Sequence, residues 1–233
     1  MSRLARSSRT LLTALSRASL PVLTALAAPG GGLASELPKE VSFPTRDGGR
    51  IDAHIYGDGP HAVVLAHGAV FDKESWQVLA GQLCDRGLRV LALDFRGYGR
   101  STPGTEEGAL WLDVVGAADY LRQQGAQRVF ALGASMGGGA VARASVESPE
   151  GTFDKVILLA AAPIEDPDRM RAGSLLFVVS REEHLLPRVR QQFELAPEPK
   201  RLEILEGSAH AQHVFGTDQA EALTQLIIDF LVN

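Results

Sequence analysis

Ser135 lies in a stretch whose residue types suit a nucleophile. The sequence Gly133-Ala-Ser-Met-Gly137 follows an apolar run that ends at Leu132, and a helix-like segment comes after it. Small residues around a serine permit a sharp strand-to-helix turn, because a Cβ atom at the flanking positions would collide with the adjoining backbone. The turn exposes the hydroxyl and places a helix N-terminus behind it. The pattern therefore predicts an acyl-transfer nucleophile, with a flexible turn as the alternative.

His210 is the candidate for the base that such a serine needs, since a serine hydroxyl is protonated at neutral pH. The segment Glu206-Gly-Ser-Ala-His210 directly follows a predicted strand, and small residues precede the histidine. Loops at the carboxyl ends of parallel strands meet at the ligand-binding edge of the sheet. We interpret His213, three residues further on, as a polar cap at the start of the final helix or a solvent-facing residue.

Glu183 is the predicted acid that would orient the imidazole. It follows the apolar segment Ser174-Leu-Leu-Phe-Val-Val179, between the serine and the histidine in chain order. A pair of glutamates before a helix is usually an ordinary charged loop, so only the position favours this assignment. The alternatives are other carboxylates at strand ends: Glu182, Glu165, Asp166 and Asp168.

Two backbone N–H groups are the predicted donors to a developing oxyanion. One belongs to Met136, directly after the serine, and the other to Ala69, in the loop His67-Gly68-Ala69-Val70. Gly68 would let the chain turn so that the Ala69 N–H faces the serine. His67 precedes the serine, and we interpret it as a residue that braces the loop rather than as the base.

Alternating strand-like and helix-like segments would position these residues. An antiparallel hairpin is predicted over 41–43 and 50–56. Further strands are predicted over 62–66, 89–94, 128–132, 155–161, 174–179 and 201–205, and helices over 73–86, 109–124, 136–146, 187–195 and 218–231. The short apolar strands are of the kind buried on both faces of a parallel sheet. We therefore predict an α/β fold, a mostly parallel sheet with helices on both faces.

Composition narrows the class of protein. The 233 residues are 45% hydrophobic and 22% charged, which fits one globular domain. The single cysteine, Cys84, cannot form an internal disulfide or a cysteine metal cluster, and we expect it to be buried. No apolar run is long enough for a membrane span, and no basic stretch interleaved with aromatics indicates a nucleic-acid partner. We expect no metal and no cofactor, and the oligomeric state stays open.

The amino terminus differs from the rest of the chain. Residues 1–28 contain four arginines and no acid, with a short apolar core and a small-x-small sequence at Ala25-Leu-Ala27. The pattern predicts a targeting segment over 1–28, a signal peptide that would make the protein secreted or periplasmic. Organelle import and a retained tail are the alternatives. A flexible linker over 29–40 and one domain over 41–233 follow, and without 1–28 the net charge of −5 becomes −9.

Taken in order, four motifs resemble the α/β-hydrolase superfamily: Val64-Leu-Ala-His-Gly68, Asp94-Phe-Arg-Gly-Tyr-Gly-Arg-Ser101, Gly133-Ala-Ser-Met-Gly137 and Gly207-Ser-Ala-His210. The resemblance runs from about residue 41 to the end. It implies an eight-stranded, mostly parallel sheet and hydrolysis through an acyl-enzyme without metal or cofactor. The chain departs from the family at the acid, where relatives often have Gly-x-x-Asp and this chain has Ser180-Arg-Glu-Glu183.

Many relatives insert a cap domain where this chain has only the short interval 163–174. We therefore expect no cap and an open site that accepts accessible or bulky acyl esters, with Trp111 and Tyr98 as possible walls and Trp76 in the core. The predicted function is a serine esterase acting on a small-molecule acyl ester through Ser135, Glu183 and His210. Peptide or amide hydrolysis, thioester hydrolysis and a non-catalytic binding module are the alternatives.

Overall fold

Eight strands form one sheet in a computed structural model, which describes residues 37–233. The targeting segment predicted over 1–28 and residues 29–36 of the predicted linker lie outside the described residues. The strands are β1 (Lys39–Pro44), β2 (Arg50–Tyr56), β3 (His61–Ala66), β4 (Leu88–Leu93), β5 (Arg128–Ala134), β6 (Lys155–Leu159), β7 (Leu175–Ser180) and β8 (Lys200–Leu205). The first strand begins at Lys39, inside the stretch predicted as linker.

The order of the strands across the sheet is β1-β2-β4-β3-β5-β6-β7-β8. β2 runs antiparallel to both of its neighbours, and every other pair is parallel. This confirms the predicted opening hairpin and the mostly parallel sheet. The loops that follow β3, β5, β7 and β8 all leave from the carboxyl edge, which is where the candidate site residues were expected.

Five α-helices connect the strands: α1 (Gln77–Cys84), α2 (Leu110–Gln123), α3 (Met136–Glu147), α4 (Leu186–Leu195) and α5 (Ala220–Val232). Short 3₁₀ helices occur at Lys73–Trp76, Pro167–Arg169 and Ala211–Gly216. The segment predicted as one helix over 73–86 thus begins as a 3₁₀ turn, which Asp72 caps by accepting a hydrogen bond from the Ser75 N–H, and continues as α1. None of the described helices is long and apolar enough to cross a membrane.

Burial explains why the central strands read as continuous apolar runs. β5 and β7 are buried along nearly their whole length, so both of their faces are covered. Trp76 is buried in the core, as expected, and packs edge-on against Phe215. Cys84 is only half-buried, whereas we expected it to be buried, and desolvation raises the pKa of its thiol to about 11.

The connection from β6 to β7 contains only the 3₁₀ turn Pro167–Arg169. A cap domain needs a longer insertion at this point, so within residues 37–233 the site has no lid domain above it. This agrees with the absence of a cap predicted from the short interval in the sequence.

Candidate active site

Ser135 occupies the turn between β5 and α3 with a φ of 51° and a ψ of −113°. A positive φ is unfavourable for a residue with a side chain, so the surrounding glycines must leave room for the strained turn. A Cβ atom on Gly133 would lie 2.3 Å from the Gly137 carbonyl oxygen, and one on Gly137 would lie 2.3 Å from the Ala66 carbonyl oxygen. The Gly-x-Ser-x-Gly spacing therefore reflects backbone packing on both sides of the serine.

His210 stands beside the serine, in the loop between β8 and the 3₁₀ helix Ala211–Gly216. Its Nε2 lies 2.7 Å from the Ser135 Oγ, within hydrogen-bond distance. The imidazole is about one-third exposed, so one side of it faces solvent. The serine hydroxyl can therefore donate its proton to the imidazole nitrogen, which is the arrangement that general-base activation of a hydroxyl requires.

Glu183 completes a relay of three side chains. Its Oε1 lies 2.8 Å from the His210 Nδ1, and the residue is only 5% exposed. Among the described residues, its second oxygen, Oε2, is buried with no hydrogen-bond partner. The neighbouring Glu182 is exposed.

The other carboxylates considered for the acid lie elsewhere. Glu165 and Asp168 are exposed, and Asp166 pairs with Arg169 and Arg143. The structure therefore brings Ser135, His210 and Glu183 together and leaves the alternatives outside the relay.

The loop after β3 faces the serine through Gly68, where a Cβ atom would lie 3.6 Å from the Ser135 Cβ. The Gly68 carbonyl accepts from the Phe71 N–H at 3.0 Å and bonds the His67 Nδ1 at 2.9 Å. Because N–H and C=O point in opposite directions across a trans peptide, these bonds also fix the direction of the Ala69 N–H. Within residues 37–233, neither this N–H nor that of Met136 donates to a protein acceptor.

His67 is fully buried and anchors this loop. Its Nε2 accepts a hydrogen bond from the Phe95 N–H at 3.2 Å, which requires the proton to sit on Nδ1 and to be donated to the Gly68 carbonyl. Desolvation lowers the pKa of His67, which favours this neutral form. The interpretation of His67 as a loop brace agrees with these contacts.

Comparison with known proteins agrees with this fold. A profile of the serine aminopeptidase (S33) family matches residues 59–218. The chain belongs to this family of α/β hydrolases.

A protein from Thermoplasma acidophilum that is described as a predicted CIB-like hydrolase superimposes on this S33-family chain with a TM-score of 0.67 and 27% identity, covering 84% of this chain and 98% of that one. An esterase from Exiguobacterium antarcticum shares the fold, with a TM-score of 0.70, 16% identity and coverage of 84% and 100%. A bifunctional esterase/perhydrolase of Acinetobacter calcoaceticus is 34% identical over 124 residues, 51% of this chain and 44% of the relative. The chain spans only 34% to 44% of the length of the first curated relatives that it matches.

Two buried ion clusters in this S33-family chain had no role in the sequence prediction. Lys73 donates to Asp94 through both its backbone N–H, at 2.9 Å, and its Nζ, at 2.6 Å. This fixes the point where the loop after β3 enters the 3₁₀ helix. The motif Asp94-Phe-Arg-Gly-Tyr-Gly-Arg-Ser101 was the available signal, and its glycine at 99 lets the chain pass Asp94 at a distance that a Cβ atom would not allow.

The second cluster joins Arg96 to Asp47 and Asp113, and we call these three residues the Arg96 cluster. Arg96 donates to Asp113 through Nε at 2.9 Å and to Asp47 through Nη1 at 2.8 Å and Nη2 at 3.1 Å. The hydrogen bond from Arg96 holds the pKa of Asp47 well below its usual range, whereas burial raises the pKa of Asp113. The cluster anchors the loop that carries Tyr98.

The remaining residues considered from the sequence differ in burial and in the loops they contact. Tyr98 donates its hydroxyl to the Ala69 carbonyl at 3.0 Å, so it supports the loop after β3. Trp111 is half-buried against the core. His213 is exposed, as one of its two interpretations required, but it lies in the 3₁₀ helix before α5 and packs against Phe71. In the described part of the chain, no group of three or more His, Cys, Asp or Glu side chains could hold a metal ion.

Proposed function

We propose that this hydrolase cleaves carboxylic esters through an acyl-enzyme formed on Ser135. The observation that supports this most directly is the relay from the Ser135 Oγ through His210 to Glu183, with both hydrogen bonds at 2.7–2.8 Å. His210 accepts the hydroxyl proton as the Ser135 Oγ attacks the ester carbonyl carbon. The same imidazole then returns the proton to the departing alcohol.

Water completes the cycle by the reverse sequence of proton transfers. His210 takes a proton from the water, the resulting hydroxyl adds to the acyl carbon, and the bond to Ser135 breaks as the proton returns to its Oγ. Glu183 keeps the Nδ1 proton in place and stabilises the imidazolium that forms in each half-reaction.

The N–H groups of Met136 and Ala69 are the proposed oxyanion donors. Met136 is the first residue of α3, so its N–H lies at the positive end of the helix dipole. The direction of the Ala69 N–H is fixed because it shares a peptide unit with the Gly68 carbonyl, which is hydrogen-bonded to the His67 Nδ1. A donor of this kind contributes about 3 to 4 kcal/mol to transition-state stabilisation, as judged by its removal.

Ester cleavage is proposed ahead of other acyl transfers because two of the similar proteins are described as esterases. The family description names an aminopeptidase, which keeps peptide or amide hydrolysis as a second candidate. A panel of p-nitrophenyl esters, p-nitroanilides and acyl thioesters, compared by kcat/KM, separates these candidates from each other and from a non-catalytic module.

The substitution Ser135→Ala tests the proposal. We expect ester hydrolysis to fall by about 10⁴-fold or more, because no other group replaces the nucleophile. Ser145→Ala is the matched control, since Ser145 is a fully buried serine of the following helix that substrate cannot reach. Undiminished turnover of p-nitrophenyl acetate by Ser135→Ala would overturn the assignment.

We also propose that residues 1–28 direct export, on the basis of their arginines and short apolar core. Amino-terminal sequencing of the protein produced in its own cells tests this. A mature chain that starts near residue 28 supports export, and a chain that retains Met1 contradicts it.

A further inference from the structure

Gln212 is a buried polar residue to which the proposed mechanism gives no role. It lies two positions after His210 and is 5% exposed. Its Oε1 accepts a hydrogen bond from the Gly68 N–H at 2.7 Å, and its Nε2 donates to the Ser75 Oγ at 2.9 Å. One amide therefore joins the histidine loop, the loop after β3 and the 3₁₀ helix Lys73–Trp76.

The orientation of this amide is determined by its partners. The Gly68 N–H can only donate, so it must face the Oε1. The Ser75 hydroxyl donates to the Asp72 carbonyl, which leaves the Ser75 Oγ free to accept from the Nε2. A chain of hydrogen bonds consequently runs from Asp72 through Ser75 and Gln212 to Gly68, and each bond polarises the next.

This chain reaches the peptide next to the proposed oxyanion donor. The Gly68 carbonyl is held by His67 and Phe71, and Gln212 holds the Gly68 N–H. Tyr98 holds the following carbonyl, that of Ala69. The Ala69 N–H lies between these hydrogen-bonded groups but has no protein acceptor of its own within residues 37–233. It can therefore donate to a substrate oxygen.

We propose that Gln212 is a positioning residue that presets the Ala69 N–H toward the oxyanion and fixes its distance from His210. The proposal rests on the proposed function. Preorganised donors stabilise charge that develops in the transition state, and they contribute much less to binding of the neutral ground state. Loss of Gln212 should therefore lower kcat and leave KM nearly unchanged.

The test compares Gln212→Met with Gln192→Met. Gln192 is the matched control because it is equally buried, at 5%, and its Oε1 accepts from a backbone N–H, that of Ile164, in a different loop. We expect Gln212→Met to lower kcat for p-nitrophenyl butyrate by about 10- to 100-fold, with KM within about twofold of wild type. The control should keep kcat within about threefold of wild type.

A boronic acid provides a second readout, since it forms a tetrahedral adduct on the serine with an oxygen at the oxyanion position. Its Ki should rise in Gln212→Met by the same factor as kcat falls. If that variant does not fold, Ser75→Ala decides the question, because Ser75 is exposed and its hydroxyl is the member of the hydrogen-bond chain next to Gln212. We expect a loss of kcat of about two- to fivefold there, again with a matching change in Ki.

The outcomes separate this inference from the function on which it rests. If Ser135→Ala is inactive but Gln212→Met matches Gln192→Met in kcat and Ki, Gln212 only stabilises the fold and the inference is wrong. A loss confined to KM contradicts it as well. If Ser135→Ala retains esterase activity, the proposed function and the inference both fail.

Discussion

The Arg96 cluster and the Ser135–His210–Glu183 relay consist of similar charged and polar groups, but they differ in unused hydrogen-bonding capacity. In the cluster, Arg96 also donates to the Glu106 carbonyl, and both carboxylates accept additional bonds from backbone or hydroxyl groups. In the relay, one oxygen of Glu183 has no partner among the described residues. The His210 imidazole in the relay is one-third exposed, whereas the Arg96 side chain in the cluster is 4% exposed.

We use this difference to distinguish groups that hold the fold from the groups of the proposed catalytic site. A saturated ion cluster resists change because every partner would be left buried and unpaired. A reactive group must instead keep a free lone pair or donor directed at the substrate. The N–H groups of Met136 and Ala69, the proposed oxyanion donors, likewise have no protein acceptor within residues 37–233. Substitutions in the relay should therefore affect kcat, and those in the cluster should affect stability.

The largest effect is expected for His210→Ala. We expect kcat for ester hydrolysis to fall by about 10⁴-fold or more, because the base is removed. The free energy of unfolding should fall less than in Arg96→Leu, because water can enter the space left by the partly exposed imidazole and solvate the Glu183 carboxylate. Steady-state kinetics and urea unfolding measure the two quantities. A kcat reduced by less than about tenfold contradicts the role of His210 as base.

Arg96→Leu should reverse this pattern. It leaves Asp47 and Asp113 buried without their cation, so we expect the protein to lose about 3 to 5 kcal/mol of stability in urea unfolding. Kinetics at low temperature, where the variant stays folded, should show a far smaller loss of kcat than His210→Ala. Arg46→Leu is the control, because its ion pair with Asp119 is exposed and should contribute less than about 1 kcal/mol.

Glu183→Asp tests how closely the acid must approach the imidazole. The side chain is one methylene shorter, so its oxygen withdraws from the 2.8 Å contact with His210. We expect kcat to fall by about 100-fold. Glu182→Asp, at the exposed neighbour, should behave like wild type. Equal kinetics of the two variants would show that Glu183 is not the acid.

The smallest effect concerns acid stability. The hydrogen bond from Arg96 depresses the pKa of Asp47 in the folded protein, so its stabilising contribution is fully present above the unfolded pKa of about 3.9. It is lost progressively as the pH falls from that value toward the lower folded pKa. Wild type should therefore lose more unfolding free energy than Asp47→Asn between about pH 6 and pH 3. Parallel curves for the two proteins would contradict this account.

Most of the fold followed from the sequence because local signals and tertiary packing agree in this chain. Apolar runs at β5 and β7 became strands buried on both faces, and the spacing of Gly133 and Gly137 around Ser135 became the strained turn. Order along the chain placed the candidate acid and base on loops that meet at one edge of the sheet. It did not separate Glu183 from Glu182, Glu165, Asp166 and Asp168, which required the 2.8 Å contact with His210.

The rest depended on contacts between residues far apart in the sequence. Gln212 accepts a hydrogen bond from the Gly68 N–H, 144 positions earlier in the chain. No helical or strand pattern in the sequence indicates that these two residues are in contact. The Arg96 cluster joins three separate segments. Arg96 lies in a motif that the sequence shows, but Asp47 and Asp113 look like ordinary surface charges there. The apolar pattern also does not reveal that the helix predicted over 73–86 begins as a 3₁₀ turn, which Asp72 caps.

Labelling with a fluorophosphonate probe tests the central claim most directly, because the probe reacts only with a serine that an adjacent base has activated. We predict one adduct per chain, located on Ser135 by peptide mass spectrometry, absent in Ser135→Ala and strongly slowed in His210→Ala. Arg96→Leu should label at close to the wild-type rate while it is folded. A wild-type protein that does not react, or an adduct that persists in Ser135→Ala, would contradict the account.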